Sequence, residues 1–254
     1  MNDIASKVRR RLHRMYCSLF RWNTGVCPIC ERKVRFIEFD SWLRDNYRCS
    51  GCFSIPRLRA VVDTVKQFYP SWKSLDIHES SPNKMAASRF LKAQCVKYSS
   101  SQYYIDVPRG EYKDGHRSED LTALTFADNS FDILITQDVF EHVMEPQLAF
   151  KEIARVLKPG GAHIFSMPWY PKLEKSRRRA DLRDGEIVFL MEPVYHGNPV
   201  DRKKGSLVTM DWGLDFTDFV LQASGLQTTI YLQRDRSKGL DGEFLEVFVS
   251  RKIQ

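Results

Sequence analysis

The sequence predicts an α/β fold, a parallel sheet with helices on both faces and a C-terminal antiparallel hairpin, preceded by a small N-terminal module. Three observations carry this expectation: apolar β-rich runs alternate with amphipathic helical stretches in the middle of the chain, two β-rich runs close it, and five of its six cysteines fall before residue 53. Alternation of strands and helices marks a parallel sheet, because each crossover helix returns the chain over one face. With 254 residues and 43% hydrophobic content, there is chain enough for one large domain and an appended module. No apolar run approaches the ~20 residues of a membrane-spanning helix, and the first residues lack a secretory apolar core. A soluble, cytoplasmic protein is therefore expected.

Residues 1–23 read as a basic N-terminal helix carrying Arg9, Arg10, Arg11 and Arg14. A formal charge of +7 permits an anionic partner without choosing among nucleic acid, a nucleotide-linked substrate and a membrane surface. A solvated helix face accounts for the arginines equally well.

Residues 24–57 hold Cys27-Pro-Ile-Cys30 and Cys49-Ser-Gly-Cys52. Two Cys-x-x-Cys turns separated by residues 31–48 have the spacing of a tetrahedral site in which each turn presents two thiolates and the intervening segment folds back. KVRFIEF has the alternation of a strand that suits such a hairpin. The expectation is a zinc ribbon with Cys27, Cys30, Cys49 and Cys52 as ligands; disulfides or redox pairs are the alternatives. Four thiolates leave no open position, so the zinc would be structural. Cys17 and Cys95 lie outside the pattern and read as packed thiols.

Residues 58–254 form the large domain. Leu58, Val61, Val62, Val65 and Phe68 mark a helix over 56–69 that Pro70 closes. A strand is expected over Ser74 to His78, followed by a helix with Ser81 as N-cap and Pro82 at its first position. A strand that ends at a helix N-terminus suits a carboxylate or phosphate, although no glycine-rich loop is present. Phe131 to Thr136 reads as a strand and Glu145 to Leu157 as a helix with Leu148, Ile153, Val156 and Leu157 on its apolar side. Lys158-Pro159-Gly160-Gly161 stops that helix before a strand over Ala162 to Met167. Phe216 to Ser224 reads as the last helix, and Thr228 to Gln233 with Phe244 to Ser250 as the edge hairpin, joined by the turn-prone RDRSKGLDGE.

The stretch SEDLTALTFADNSFDILITQDVFEHVMEPQLAFKEIARVLKPGGAHIFSMP, about a fifth of the chain, resembles the type-11 group of class I S-adenosylmethionine-dependent methyltransferases. The resemblance implies a Rossmann-like sheet and S-adenosylmethionine as cofactor. It places Asp120 on the adenine amino group with Leu121 beside the ring, where a carboxylate can accept the exocyclic N-H; a loop-capping role is the plain alternative for Asp120. LDIHESSP departs from the family's acidic, glycine-rich first motif and is similar to a bacterial subgroup that pairs a Cys-x-x-Cys ribbon with a degenerate loop. By that similarity Glu79, with Ser80 and Ser81, lies at the methionine end of the cofactor, while Ser101 or Gln102 stands where the family holds the ribose. Gln137, Asp138 and His142 complete the cofactor side.

Methyl transfer from a sulfonium is an in-line displacement, which calls for positioning and, for a hydroxyl nucleophile, a base. Candidate bases are Asp138, Tyr195 and His196, with His142 read as structural or cofactor-adjacent. His196 is the leading candidate, fixed by a turn at Gly197, Asn198 and Pro199; a plain loop hydrogen bond is the alternative. The insertion over about 169–211 reads as a substrate lid whose Arg177 to Arg179 would grip an anionic group. A small-molecule or bacterial glycan acceptor is expected first. An RNA acceptor docked by the ribbon and basic N-terminus comes second, and a noncatalytic binding protein on the same scaffold third.

Overall fold

Residues 2–82, 86–197 and 204–253 are described by the computed structural model. The chain forms two units: Met1–Pro70 with Lys84–Leu91 and Leu232–Glu246, and Ser71–Asn83 with Lys92–Tyr231 and Val247–Gln254.

The first unit begins with α1 (Asn2–Phe20), followed by β1 (Trp22–Val26), β2 (Lys33–Glu38), a short α2 (Leu43–Asn46), β3 (Tyr47–Cys49) and α3 (Pro56–Phe68). The three strands make an antiparallel sheet in the order β1-β2-β3, with Gly25 opposite Val34 and Phe36 opposite Cys49. Leu58, Val61, Val62 and Val65 of α3 are buried, as their helical spacing predicts, and Leu58 and Val62 join Phe36, Tyr47 and Ile55 in one apolar core. Arg9, Arg10, Arg11 and Arg14 are all exposed.

The unit extends beyond 24–57, for it takes in α3 and residues 232–246. The linker read as a simple hairpin turn is thus a long excursion that packs on the small sheet. Asn23 Nδ2 donates to Arg236 O at 2.7 Å, and Arg59 Nε donates to Gly239 O at 3.1 Å. A Cβ on Gly25 would stand 1.8 Å from Ser237 O, and one on Gly239, at φ +69°, would stand 2.5 Å from the Phe36 ring. Only glycine permits either approach.

The second unit is an eight-stranded sheet of order β16-β17-β9-β8-β4-β5-β7-β6. Its strands are β4 (Asp76–Ser80), β5 (Lys97–Gln102), β6 (Tyr112–Lys113), β7 (His116–Ser118), β8 (Phe131–Gln137), β9 (Leu157–Ser166), β16 (Gln227–Tyr231) and β17 (Val247–Arg251). β7, β5, β4, β8 and β9 run parallel, whereas β17 is antiparallel to both β9 and β16. Helices α5 (Pro146–Val156) and α6 (Phe216–Ser224) belong to the sheet's crossovers, while most of α4 (Ala86–Gln94) falls in the first unit. Between β9 and α6 lie short strands β10 (Arg177–Arg178), β11 (Ala180–Arg183), β12 (Glu186–Phe189), β13 (Tyr195–His196), β14 (Ser206–Leu207) and β15 (Met210–Asp211). They pair as three antiparallel ladders, β10 with β15, β11 with β12 and β13 with β14. Ala149, Phe150, Ile153 and Val156 of α5 pack with Phe140, Phe165, Trp212, Phe216 and Phe248 in the main core.

Several expectations are corrected. β4 starts at Asp76, because Trp72–Ser74 form a 3-10 turn. Ser81 is no N-cap: it sits at φ +57° just after β4, Pro82 carries no helical structure, and α4 is described from Ala86. Leu148 is 39% exposed; Ala149 and Phe150 take the core face of α5 instead. Lys158 to Gly161 belong to β9, entered through an irregularity opposite Phe131 and Ile133. A Cβ on Gly161 would stand 2.9 Å from the carbonyl oxygens of Asp132 and Lys158, so the glycine serves the bulge and not a loop. β17 begins at Val247, after Phe244 turns the chain at φ +51°.

Candidate functional site

In open parallel sheets a ligand crevice opens outside the carboxyl ends of the strands where the strand order reverses. Here that point lies beside β4, whose neighbours are β5 on one side and β8 on the other. Glu79, near the end of β4, is 1% exposed and accepts hydrogen bonds from Tyr98 Oη at 2.6 Å and Gln137 Nε2 at 2.8 Å. Burial, reinforced by the Glu79 charge, pushes the Tyr98 phenol well above its ordinary range, so Tyr98 stays a donor. Gln137 Oε1 is buried and has no hydrogen-bond partner among the described residues. At the carboxyl ends of the adjacent strands β4 and β8, this carboxylate and amide oxygen form an acceptor pair that suits a ligand N-H cation. Ser80 is buried and Ser81 N donates to Ser101 O at 2.8 Å. Ser101 is not available as a ribose donor: it is fully buried and its hydroxyl lies 2.9 Å from His78 Nε2. Gln102 Nε2 donates to Pro82 O at 3.1 Å, which leaves its Oε1 as the acceptor at that strand end.

Asp120 lies beyond the end of β7 and lines a cavity of about 250 Å³ with Tyr103, Tyr104, Ile105 and Ser118. Its Oδ1 accepts from Thr122 N at 2.8 Å and Thr122 Oγ1 at 2.7 Å, so one oxygen does cap the loop. Leu121 is buried in the main apolar core. Burial, and then the Asp120 charge, raises the Tyr103 phenol. The neighbouring Glu119 is fully engaged by Arg117 Nε at 2.7 Å and by Thr125 N at 2.9 Å, so the two adjacent acids have separate roles.

Asp138 follows β8 at φ +52°; its N donates to Ser166 O at 2.8 Å, which lodges it between the ends of β8 and β9. His142 Nδ1 stands 2.8 Å from Leu207 O. Tyr195 and His196 form β13, exposed, with His196 opposite Ser206 of β14. Asn198 and Pro199 of the expected turn lie outside the described residues. His196 is not alone: its Nδ1 is 3.7 Å from Glu141 Oε1, and its ring meets that of His142 edge-on with centroids 5.1 Å apart. Glu141 went unnoticed in the sequence, where only the Glu-His pair of QDVFEHV marks it. The arginine triplet is also corrected, because Arg177 and Arg179 both bind Asp211 Oδ2, at 3.2 and 3.0 Å, and Arg178 donates to Met144 O at 2.7 Å. Arg177 and Arg179 thus tie the insertion to its own Asp211, and Arg178 ties it to Met144 outside it, so all three side chains already have partners.

The sheet order, the reversal beside β4 and the site at the carboxyl edge are those of the Rossmann-like class I methyltransferase fold. Residues 80–165 match the methyltransferase domain family. The matched segment runs from Ser80 to Phe165 and includes Asp120, Gln137, Asp138 and His142, but not Glu79, Tyr195, His196 or the four cysteines. The chain is 31% identical over 112 residues to demethylmenaquinone methyltransferase of Clavibacter sepedonicus, covering 42% of this chain and 46% of that protein. It is 27% identical over 146 residues to an uncharacterised 37.1 kDa protein in transposon Tn4556 of Streptomyces fradiae, covering 52% of this chain and 40% of that one. The chain thus spans less than half the length of these relatives. Among solved structures it is similar to S-adenosylmethionine-bound CalS10, an amino pentose methyltransferase from Micromonospora echinaspora, with TM-score 0.50 and 13% identity over 77% of this chain and 89% of that one.

Outside the matched methyltransferase segment, the ligand atoms of Cys27, Cys30, Cys49 and Cys52 gather within 4.8 Å of one another. Cys27 Sγ is 3.8 Å from Cys52 Sγ, and Cys30 Sγ is 3.8 Å from Cys49 Sγ, far beyond the roughly 2.05 Å of a disulfide. Both loops turn through left-handed residues, Glu31 at φ +56° and Phe53 at φ +59°. Gly51 N and Cys52 N donate to Cys49 Sγ at 3.3 and 3.5 Å. Beside the thiols the buried Arg59 donates to Tyr47 O, Ser54 O and Gly239 O. Burial lowers its guanidinium to about 10, and the nearby thiols favour its charged form. Cys17 and Cys95 are buried outside the cluster. Among the described residues no helix is long and apolar enough to cross a membrane.

Proposed function

We propose that the chain transfers a methyl group from S-adenosylmethionine to a hydroxyl or amine of a small-molecule or glycan acceptor. The observation that carries this reading is Gln137 Oε1, a buried acceptor without a partner among the described residues, beside the Glu79 carboxylate at the carboxyl edge of a methyltransferase fold. When bound, the cofactor supplies an electrophilic methyl group on a sulfonium. Glu79 and Gln137 accept from its ammonium, with Ser80 and Ser81 beside them, Gln102 accepts from a ribose hydroxyl, and the free oxygen of Asp120 takes the adenine N-H over Leu121. Asp138 and His142 border the reacting end. His196, with Tyr195 beside it, takes the acceptor's proton, since imidazole accepts a proton near neutrality. The names of the demethylmenaquinone and amino pentose enzymes favour a small organic acceptor. The exposed arginines of α1 favour RNA as the second reading, which steeply salt-dependent RNA binding would support.

Cys27, Cys30, Cys49 and Cys52 are proposed to hold a structural Zn²⁺. In support, Sγ separations of 3.8 Å equal the roughly 3.8 Å edge of a tetrahedron with Zn-S bonds of about 2.3 Å. The cationic Arg59 offsets the negative charge of four thiolates.

Calorimetric titration with S-adenosylhomocysteine tests the cofactor reading, with micromolar binding expected, followed by a methyl-transfer screen over hydroxyl and amine acceptors. Absence of binding at millimolar concentration would leave a binding protein on a methyltransferase scaffold.

A further inference from the structure

We propose that Glu141, His142 and His196 form a binding site for a divalent transition-metal ion, separate from the cysteine cluster. Glu141 is 1% exposed, yet among the described residues neither oxygen of its carboxylate has a hydrogen-bond partner. A buried carboxylate left unsatisfied costs several kcal/mol unless a cation compensates it. The nearest candidates for hydrogen bonding are too far: His142 Nε2 and His196 Nδ1 both lie 3.7 Å from Glu141 Oε1, beyond hydrogen-bond range. They are near enough for one ion between them, since donors bound at about 2.1 Å can be up to about 4.2 Å apart. All three ligand atoms lie within 4.8 Å of one another, so a shift of at most about 0.6 Å brings the two imidazole nitrogens inside that limit of about 4.2 Å as well.

The surroundings hold this arrangement in place. Glu141 O accepts from Thr209 N at 2.7 Å and from Thr209 Oγ1 at 3.2 Å, which fixes the backbone beneath the carboxylate. His142 Nδ1 meets Leu207 O at 2.8 Å, and a carbonyl there requires the proton on Nδ1. In the neutral imidazole Nε2 is then the lone-pair nitrogen, and it lies on the side of Glu141, the orientation by which ligating histidines are set. Leu207 belongs to β14, whose partner β13 carries His196, so one small ladder both orients the first imidazole and delivers the second. The His196 side chain is 42% exposed and gives the site access to solvent.

Two imidazoles and one carboxylate suit Mn²⁺, Fe²⁺, Co²⁺ or Zn²⁺ and leave coordination positions for oxygen donors. With the methyl-transfer reading, on which this part rests, the site selects an acceptor that presents oxygen to a metal, a hydroxyl or a pair of neighbouring oxygens; with an ion bound, His196 serves as its ligand and the ion, in place of the free imidazole, acidifies the acceptor hydroxyl.

The test uses the full chain with the cysteine centre loaded with zinc. Mn²⁺ is titrated by the loss of the free-ion electron paramagnetic resonance signal, and Co²⁺ by ligand-field absorption. One additional ion per chain is expected, with Glu141→Gln and His196→Ala each weakening it roughly tenfold or more. Glu141→Gln also removes a buried carboxylate that no hydrogen bond from the described residues satisfies, so the metal-free variant should melt no lower than the parent while losing the rise in melting temperature that Mn²⁺ gives the parent. No binding of either ion up to millimolar concentration, or binding unchanged in both folded variants, overturns the site. Loss of S-adenosylhomocysteine binding with Mn²⁺ binding intact would instead overturn the methyl-transfer reading and leave the site standing.

Discussion

Asp120 caps its loop with Oδ1 and is proposed to hold the cofactor's adenine with its other oxygen, and the choice of substitution separates the two. Oδ1 holds the turn through Thr122, a role that asparagine keeps, whereas the charge is what a ligand N-H would feel. Asp120→Asn should therefore weaken S-adenosylhomocysteine binding by roughly ten- to a hundred-fold, with little change in melting temperature. Glu79→Gln should do the same. Calorimetry that finds both variants binding as the parent does would remove these residues from the cofactor site. For His196, asparagine removes the proton acceptor: kcat on an identified acceptor should fall by ~10² or more while S-adenosylhomocysteine affinity holds. Unchanged turnover would shift the chemistry to Asp138 or to positioning alone. Sequence reading marked His196 as a histidine without a partner. Its neighbour Glu141 lies in another motif, and no local spacing joins the two.

At the scale of elements, the cysteine loops can be read almost letter by letter, because a Cys-x-x-Cys turn brings two thiols together within one loop and the intervening strands β2 and β3 bring the loops together. Cys27→Ser should release about one zinc per chain, measured by metal analysis, and speed hydrogen exchange over residues 24–57. Protein that holds no zinc when purified under reducing, chelator-free conditions would defeat this. The excursion over 232–246 shows the opposite case. Its glycines looked like ordinary turn formers, yet Gly239 faces the Phe36 ring, and the φ of +69° together with a Cβ 2.5 Å from that ring leaves no room for alanine. Gly239→Ala should cost about 1–3 kcal/mol or more, seen as a lower urea midpoint. A midpoint equal to the parent's would mean that the loop moves off the small sheet.

At the scale of the whole molecule, two histidines lie inside the main sheet. His78 is held between Ser99 Oγ and Ser101 Oγ at 2.9 Å each, and burial, then the charge of Arg117, lowers it from 6.5 to about 3. His163, wholly buried, is likewise driven well below its ordinary value by burial. Both are neutral in the folded protein, while the unfolded chain takes up protons below about pH 6.5. Between about pH 6.5 and 3 the unfolded state thus binds more protons, so stability falls as pH falls through that window. Urea midpoints should decline across it, and His78→Gln, which can keep both hydroxyl contacts, should flatten the decline. A parent whose stability is level from pH 6.5 to pH 4 would contradict this.

The alternation of β4, β8 and β9 with α5, the amphipathic face of α3 and the gathering of the four cysteines were legible in the sequence because each is encoded within a few residues by period, turn chemistry or ligand spacing, whereas β5 to β7 and the short strands of the insertion were not. A family resemblance supplied the ligand edge of the sheet. The path of the chain decided the rest. Gln137 reaches Glu79 from 58 positions away, the Leu207 carbonyl orients His142 from 65, and Asp211 claims the arginines that looked free for an anion. Burial then gives each meeting its energetic weight, since a carboxylate such as Glu141 is ordinary in water and demands a partner only once the fold has enclosed it.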